Sequence, residues 1–185
     1  MKSFKNLGEF PIISSLRVHT PDEAIYDIMD SEKQGAEGFL LHLELLDKKY
    51  RTVENIEEIV KTTEKPIMVL NYRTVENSDD EALNALKLEG VRVGAAAIDM
   101  PLNSFDSNCR KSLEGCGATF VSANPDEVSM NLAVIEKQKA FIEKVHEAGG
   151  EVLVSAHVAT MLSYTQGTDL AKEIESRGAD YVKII

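Results

Sequence analysis

Short apolar runs of strand length recur along this chain, and segments with helical spacing separate them. Residues 11–18 (PIISSLRV), 38–45, 66–73 (PIMVLNYR) and 95–100 (AAAIDM) read as strands. The first helix starts at Thr20-Pro21-Asp22, carries Ala24, Ile25, Ile28 and Met29 on its inner side, and stops near Gly35. The second covers Val53 to Val60, with Ile56, Ile59 and Val60 turned inward. The third covers Ser78 to Leu88, with Leu83, Leu86 and Leu88 apolar and Gly90 as its stop. Strand and helix in this rhythm imply right-handed crossovers and a parallel sheet. No glycine-rich phosphate loop follows the first strand, which speaks against a dinucleotide-binding doubly wound sheet. The expectation is a parallel TIM-type (β/α)8 barrel.

The rhythm breaks between Met100 and Glu151. Residues 103–108 are turn-like, 109–114 suit a short helix, and Ala118 to Asn124 (ATFVSAN) suits a strand. Pro125 leads into a long helix, Glu127 to Ala148, with Val134, Ile135, Phe141, Ile142 and Val145 apolar. No linker of low complexity marks a boundary, so residues 1–185 are read as one barrel domain with an inserted segment near 101–131.

The last third carries the chemistry. Val152, Leu153 and Val154 begin a buried strand over 151–157 that ends in His157. Helical spacing follows from Thr168 to Arg177, with Leu170 and Ile174 on one face and Gly178 as the stop. A strand over 180–185 then places Lys183 among residues suited to a core. A strand-end lysine that snorkels to solvent is the ordinary reading. A desolvated lysine, by contrast, can supply the neutral amine of a Schiff-base nucleophile. Alternation puts Leu153, Ser155 and His157 on one face, and Tyr181, Lys183 and Ile185 on another. If both faces point into one barrel, imidazole and amine meet at its carboxyl end, where such barrels do their chemistry.

SAHV, the helix after it, and GADYVKII resemble the histidine and lysine segments of the type I 3-dehydroquinate dehydratases, at a similar spacing. Further matches lie upstream. Arg73 in NYRT resembles the arginine that binds substrate carboxylate or hydroxyls, although pairing with Asp79 or Asp80 explains it as well. Ser15 falls at a position similar to a substrate-contacting serine. Asp99 resembles the acidic residue of the fourth strand, and an inward aspartate needs a partner whatever its role. The second strand departs from the family's Glu-x-Arg-x-Asp pattern, reading Leu40, His42 and Glu44 at those places. Alternation would turn His42 and Glu44 towards the pocket. The carboxylate that orients the family's histidine would fall near Asn77, with Glu76 adjacent. His19 and His146 receive no catalytic role.

The resemblance implies a Schiff-base lyase that dehydrates 3-dehydroquinate to 3-dehydroshikimate, a step towards aromatic amino acids. Lys183 forms the imine and His157 acts as general acid and base; Arg73, Ser15, His42 and Glu44 bind substrate. No metal or other cofactor is implied. Two alternatives stand beside it: a Schiff-base aldolase or dehydratase for another small hydroxyketone, suggested by Leu40 and His42, and an inactive dehydratase-like binding module. An eight-stranded barrel takes ~250 residues, so the resemblance also implies a barrel incomplete at its C-terminal end. Apolar strand edges left open there would favour a homodimer.

Charge and composition agree with a small-molecule enzyme. Twenty basic against 31 acidic residues give a net charge of −11, which argues against nucleic acid or an anionic membrane as partner. No apolar run approaches a membrane span, and MKSFKNLGEF has no signal-peptide core, so a cytoplasmic location is expected. The two cysteines, Cys109 and Cys116, are too few for a zinc site and read as free thiols, with a disulfide between them as the other possibility.

Overall fold

The computed structural model describes residues 2–109, 127–157 and 162–185. Its strands are β1 (Ile13–Leu16), β2 (Gly38–His42), β3 (Ile67–Leu70), β4 (Ala97–Pro101), β5 (Glu151–Ala156) and β6 (Tyr181–Ile184). The helices are α1 (Pro21–Lys33), α2 (Val53–Lys61), α3 (Asp80–Arg92), α4 (Leu132–Glu147) and α5 (Tyr164–Ser176). The strands follow in sequence order, and each pair with a defined register is parallel. Six strands are present among the described residues where a full (β/α)8 barrel has eight. The chain divides into two compact units, residues 1–99 with 148–151, and residues 100–147 with 152–185.

In the first unit, register sorts the side chains. Ser15 aligns with Leu40, Leu40 with Met68, and Met68 with Ala97. Ser15, Leu40, His42, Leu70 and Asp99 therefore share one face of the sheet. The other face presents Leu16, Phe39, Leu41, Ile67, Val69 and Ile98, all buried. α1 packs on β1 and α3 on β3, with α2 between the two helices. Ile28, Ile56 and Ile59 are fully buried there, and each is worth about 1.5–3 kcal/mol relative to exposure.

The caps are local and explicit. Thr20 Oγ1 accepts from the Glu23 N–H, and the Glu23 carboxylate accepts from the His19 N–H, with Pro21 at the first helical position. Asp79 caps α3 by accepting from the N–H groups of Glu81 and Ala82. Two expectations need correction here. Met29 is exposed, because α1 turns Ala24 and Ile28 to the sheet instead. Gly90 does not stop α3, which continues to Arg92 and ends at Gly94, whose φ is +117°. A Cβ at Gly90 would lie 3.3 Å from Val69 Cγ2 and 3.5 Å from Ile56 Cγ2. Glycine there permits close approach of helix and strand.

In the second unit, α4 buries Val134, Ile135, Phe141, Ile142 and Val145, as its spacing predicts. It begins at Leu132, later than expected, after Asn131, whose side-chain oxygen accepts from the Ala133 N–H. α5 begins earlier than Thr168 because Ser163 and Gln166 form a reciprocal capping box. Arg177 is buried and holds the unit together. Its guanidinium donates to Gln138 Oε1 (2.6 Å), to the Ser129 carbonyl (2.9 Å) and to Glu173. Gln138 in turn donates to the carbonyls of Leu102 and Ser104. Most of the helix expected over 109–114 and all of the strand expected over 118–124 lie outside the described residues. Cys109 itself is buried, with its Sγ 3.9 Å from the Asp106 carbonyl. Among the described residues, no helix is long and apolar enough to cross a membrane.

Candidate active site

The carboxyl ends of β1 to β4 gather polar side chains into one hydrogen-bonded chain. Ser15 Oγ lies 3.2 Å from His42 Nε2, and His42 Nδ1 lies 2.8 Å from Glu44 Oε1. Glu44 Oε2 accepts from the Tyr72 N–H at 3.4 Å. The Tyr72 hydroxyl donates to Asp99 Oδ2 at 2.7 Å, and the Tyr72 ring meets the His42 ring edge-on. The expectation that Glu44 reaches this face by strand alternation is corrected. β2 ends at His42, and residues 43–45 form a 3-10 turn. The turn itself returns the Glu44 carboxylate to His42. Arg51 holds the turn by donating to the carbonyls of Glu44 (2.8 Å) and Leu46 (2.7 Å).

Electrostatics fit this geometry. Burial works to raise the Glu44 pKa. The hydrogen bond from His42, the main-chain N–H groups of Glu44 and Tyr72 and the His42 charge outweigh it, holding the carboxyl below its ordinary value. Arg73, by contrast, is engaged with α3. Its Nε donates to Asp80 Oδ1 at 2.7 Å and its Nη2 to Asp80 Oδ2, a bidentate pair at a half-buried position. Glu76 pairs with Lys48 on the surface, and Asn77 closes a turn with Thr74. Neither lies in the hydrogen-bonded chain from Ser15 to Asp99.

Sequence reasoning missed Lys87. It lies on α3, fully buried, with Nζ donating to the Asp99 carbonyl at 2.8 Å. Desolvation lowers its pKa to about 8, against the attraction of Asp99, Asp80 and Glu44. The signal was available: Leu83, Lys87 and Val91 recur at four-residue intervals, which puts the lysine in the helix's apolar stripe.

In the second unit, β5 and β6 pair so that Ser155 aligns with Lys183 and Ala156 with Ile184. His157 lies immediately past the end of β5, two residues beyond Ser155. Ser155 is buried, and Lys183 and His157 are half-buried. A carboxylate attends the histidine: Glu127 Oε2 lies 3.7 Å from His157 Nδ1 and accepts from Asn103 Nδ2 at 3.3 Å. Sequence reading placed Glu127 at the start of the long helix, and nothing in its spacing points at His157. His146 bonds to Asp180 at 2.8 Å, and the same carboxylate oxygen of Asp180 accepts from the Val152 N–H. That pairing ties α4 to the start of β6. Among the described residues no cluster of three or more histidine, cysteine or acidic side chains could hold a metal ion.

Parallel strands in sequence order, joined where described by helices, are the pattern of a TIM-type barrel, here with six strands described. Solved structures that share the fold include 3-dehydroquinate dehydratases and a 2,3-dimethylmalate lyase, the latter with a TM-score of 0.56 at 12% identity. The chain is similar to 3-dehydroquinate dehydratase from Geobacillus kaustophilus HTA426, with a TM-score of 0.68 at 15% identity over the whole chain. It is also similar to the enzyme from Enterococcus faecalis (0.65, 14% identity, 94% of the chain) and to the type I enzyme from Clostridium difficile (0.68, 12% identity, 94% of the chain). The matches cover 65%, 65% and 61% of those chains, less than two thirds of their length. At these identities the likeness is one of fold. No family model matches the chain.

Proposed function

We propose that this protein is a Schiff-base lyase acting on a small hydroxyketone, with 3-dehydroquinate as the first candidate and the cytoplasm as its place. The observation that carries the reading is the β5–β6 register, with Lys183 beside Ser155 and His157 two residues further along, immediately past the end of β5. In this reaction Lys183 Nζ attacks the ketone carbon, and loss of water leaves an iminium. The cation draws electrons from the neighbouring C–H bond, and His157 takes that proton. The electron pair returns through the enamine to expel the β-hydroxyl, which leaves as water with a proton from His157. Hydrolysis of the product imine restores the lysine and releases 3-dehydroshikimate. Glu127 would hold the imidazole and stabilise its charged form. The Clostridium difficile relative holds covalently modified comenic acid, which supports covalent capture as chemistry suited to this fold.

A second reading keeps the imine and changes the ketone. It is favoured by Leu40 and His42 at places where the dehydratase pattern carries charged side chains, and by the bidentate hold of Asp80 on Arg73.

The test is reductive trapping. Borohydride added with 3-dehydroquinate should fix a secondary amine on Lys183, seen by intact mass and peptide mapping, and Lys183→Met should abolish it. Trapping only by other hydroxyketones would move the assignment to the second reading. No trapping by any ketone would leave a binding module.

A further inference from the structure

We infer that Ser15, His42 and Glu44 form a nucleophile–base–orienter triad able to transfer the acyl group of a small neutral ester. The geometry is that of an activated serine: nucleophile to base 3.2 Å, base to carboxylate 2.8 Å, through opposite nitrogens of one imidazole. Exposure is graded as the chemistry needs. Ser15 is exposed, while the side chains of His42 and Glu44 are 13% and 9% exposed. The proton positions follow from the partners. An ionised Glu44 can only accept, so His42 carries its proton on Nδ1, which leaves Nε2 to accept from the Ser15 hydroxyl. The Tyr72 N–H on the second Glu44 oxygen and Arg51 on the Glu44 carbonyl fix the orienting carboxylate. Neighbouring Glu44 and Asp99 carboxylates disfavour an anionic ester, hence a neutral one.

Ser15 Oγ forms the bond to the acyl carbon while its proton passes to His42 Nε2. Collapse of the tetrahedral intermediate breaks the ester C–O bond, and the departing alkoxide takes that proton. Water, deprotonated by His42, then attacks the acyl-serine; the acid leaves and Ser15 regains its hydrogen.

The protein is treated with a fluorophosphonate and, separately, with p-nitrophenyl acetate. We expect one phosphonyl adduct per chain, mapped to Ser15, and a burst of nitrophenol. Ser15→Ala should abolish both. His42→Gln should slow acylation roughly 100-fold. Glu44 is a positioning residue. Glu44→Gln should lower the limiting acylation rate about tenfold and leave the half-saturating ester concentration unchanged, a split that loss of structure would not give. Ser15→Cys provides an independent check: iodoacetamide should alkylate it faster in the His42 background than with His42→Gln. Absence of a Ser15 adduct on folded protein would overturn the proposal, as would equal labelling with and without His42. Ester labelling is read without ketone and imine trapping without ester, so either assignment can fail alone.

Discussion

Lys87 Nζ stands 2.8 Å from the main-chain oxygen of Asp99, and both residues are 1% exposed. A lysine so enclosed links stability to pH in an unusual direction. Below pH 8 the amine is protonated in folded and unfolded chains alike, and the group adds no pH dependence. Between about 8, its folded value, and 10.5, its ordinary one, the unfolded chain holds more protons, so stability rises with pH. The gain across that window is about 3 kcal/mol. Denaturant unfolding of wild type and Lys87→Met at several pH values reads it as a difference. The wild type should gain on the variant from pH 8 to 10, and a flat difference would refute a depressed Lys87 pKa.

The same aspartate depends on Tyr72. Its carboxylate accepts from the Tyr72 hydroxyl at 2.7 Å, a part-buried bond to a carboxylate. Tyr72→Phe should cost about 1.5–3 kcal/mol in unfolding free energy. A loss below about 0.5 kcal/mol, within the range of ordinary surface changes, would mean that other donors satisfy Asp99.

Glu127 offers a sharper functional readout. Its carboxylate sits 3.7 Å from His157 Nδ1, and neither side chain is deeply buried. Glu127→Gln should leave imine formation at Lys183 unaltered, because attack by the amine does not use it. Turnover should fall about tenfold, or ~1.4 kcal/mol in barrier, since the imidazolium loses its counter-charge. Stopped-flow trapping and steady-state turnover on the cognate ketone separate the two steps. Equal losses in both would place Glu127 outside the proton transfer.

What the sequence made legible was set by periodicity. The apolar run Ile67 to Leu70 and the triplet Val152 to Val154 sit in strands near their expected bounds, because burial on both faces leaves one solution. The facing of His42 followed from alternation, whereas Ser15 was singled out by resemblance; the β1–β2 register aligns Ser15 with Leu40, on the face of His42. Contacts made outside regular elements stayed hidden. Glu44 reaches His42 through a turn that period-two spacing does not describe, and Glu127 reaches His157 from the far side of a long connection. Gly90 looked like a stop because glycine usually marks one. Its use for close packing depends on Val69, 21 residues away in sequence. Lys87 was passed over because lysine on a helix is commonly solvated.

Arg73 and Asp80 decide between a structural and a substrate-binding arginine. The pair is bidentate, with Asp80 in the first turn of α3 and Arg73 just past β3, so it clips the β3–α3 connection at both ends. If clipping is its whole task, Asp80→Asn and Arg73→Lys should each lower stability by about 1–2 kcal/mol, since neither substitute restores the two charged bonds. Ketone trapping would then be unchanged in rate and saturation. If Arg73 also receives a substrate carboxylate, the two variants part company. Asp80→Asn would release the guanidinium and tighten half-saturation for a carboxylate-bearing ketone, whereas Arg73→Lys would weaken it roughly tenfold, the loss of about 1.4 kcal/mol from one charge-assisted bond. A neutral ketone of the same size is the internal control. It should respond to neither change, and a matching response would mean that the variants act other than through a substrate carboxylate.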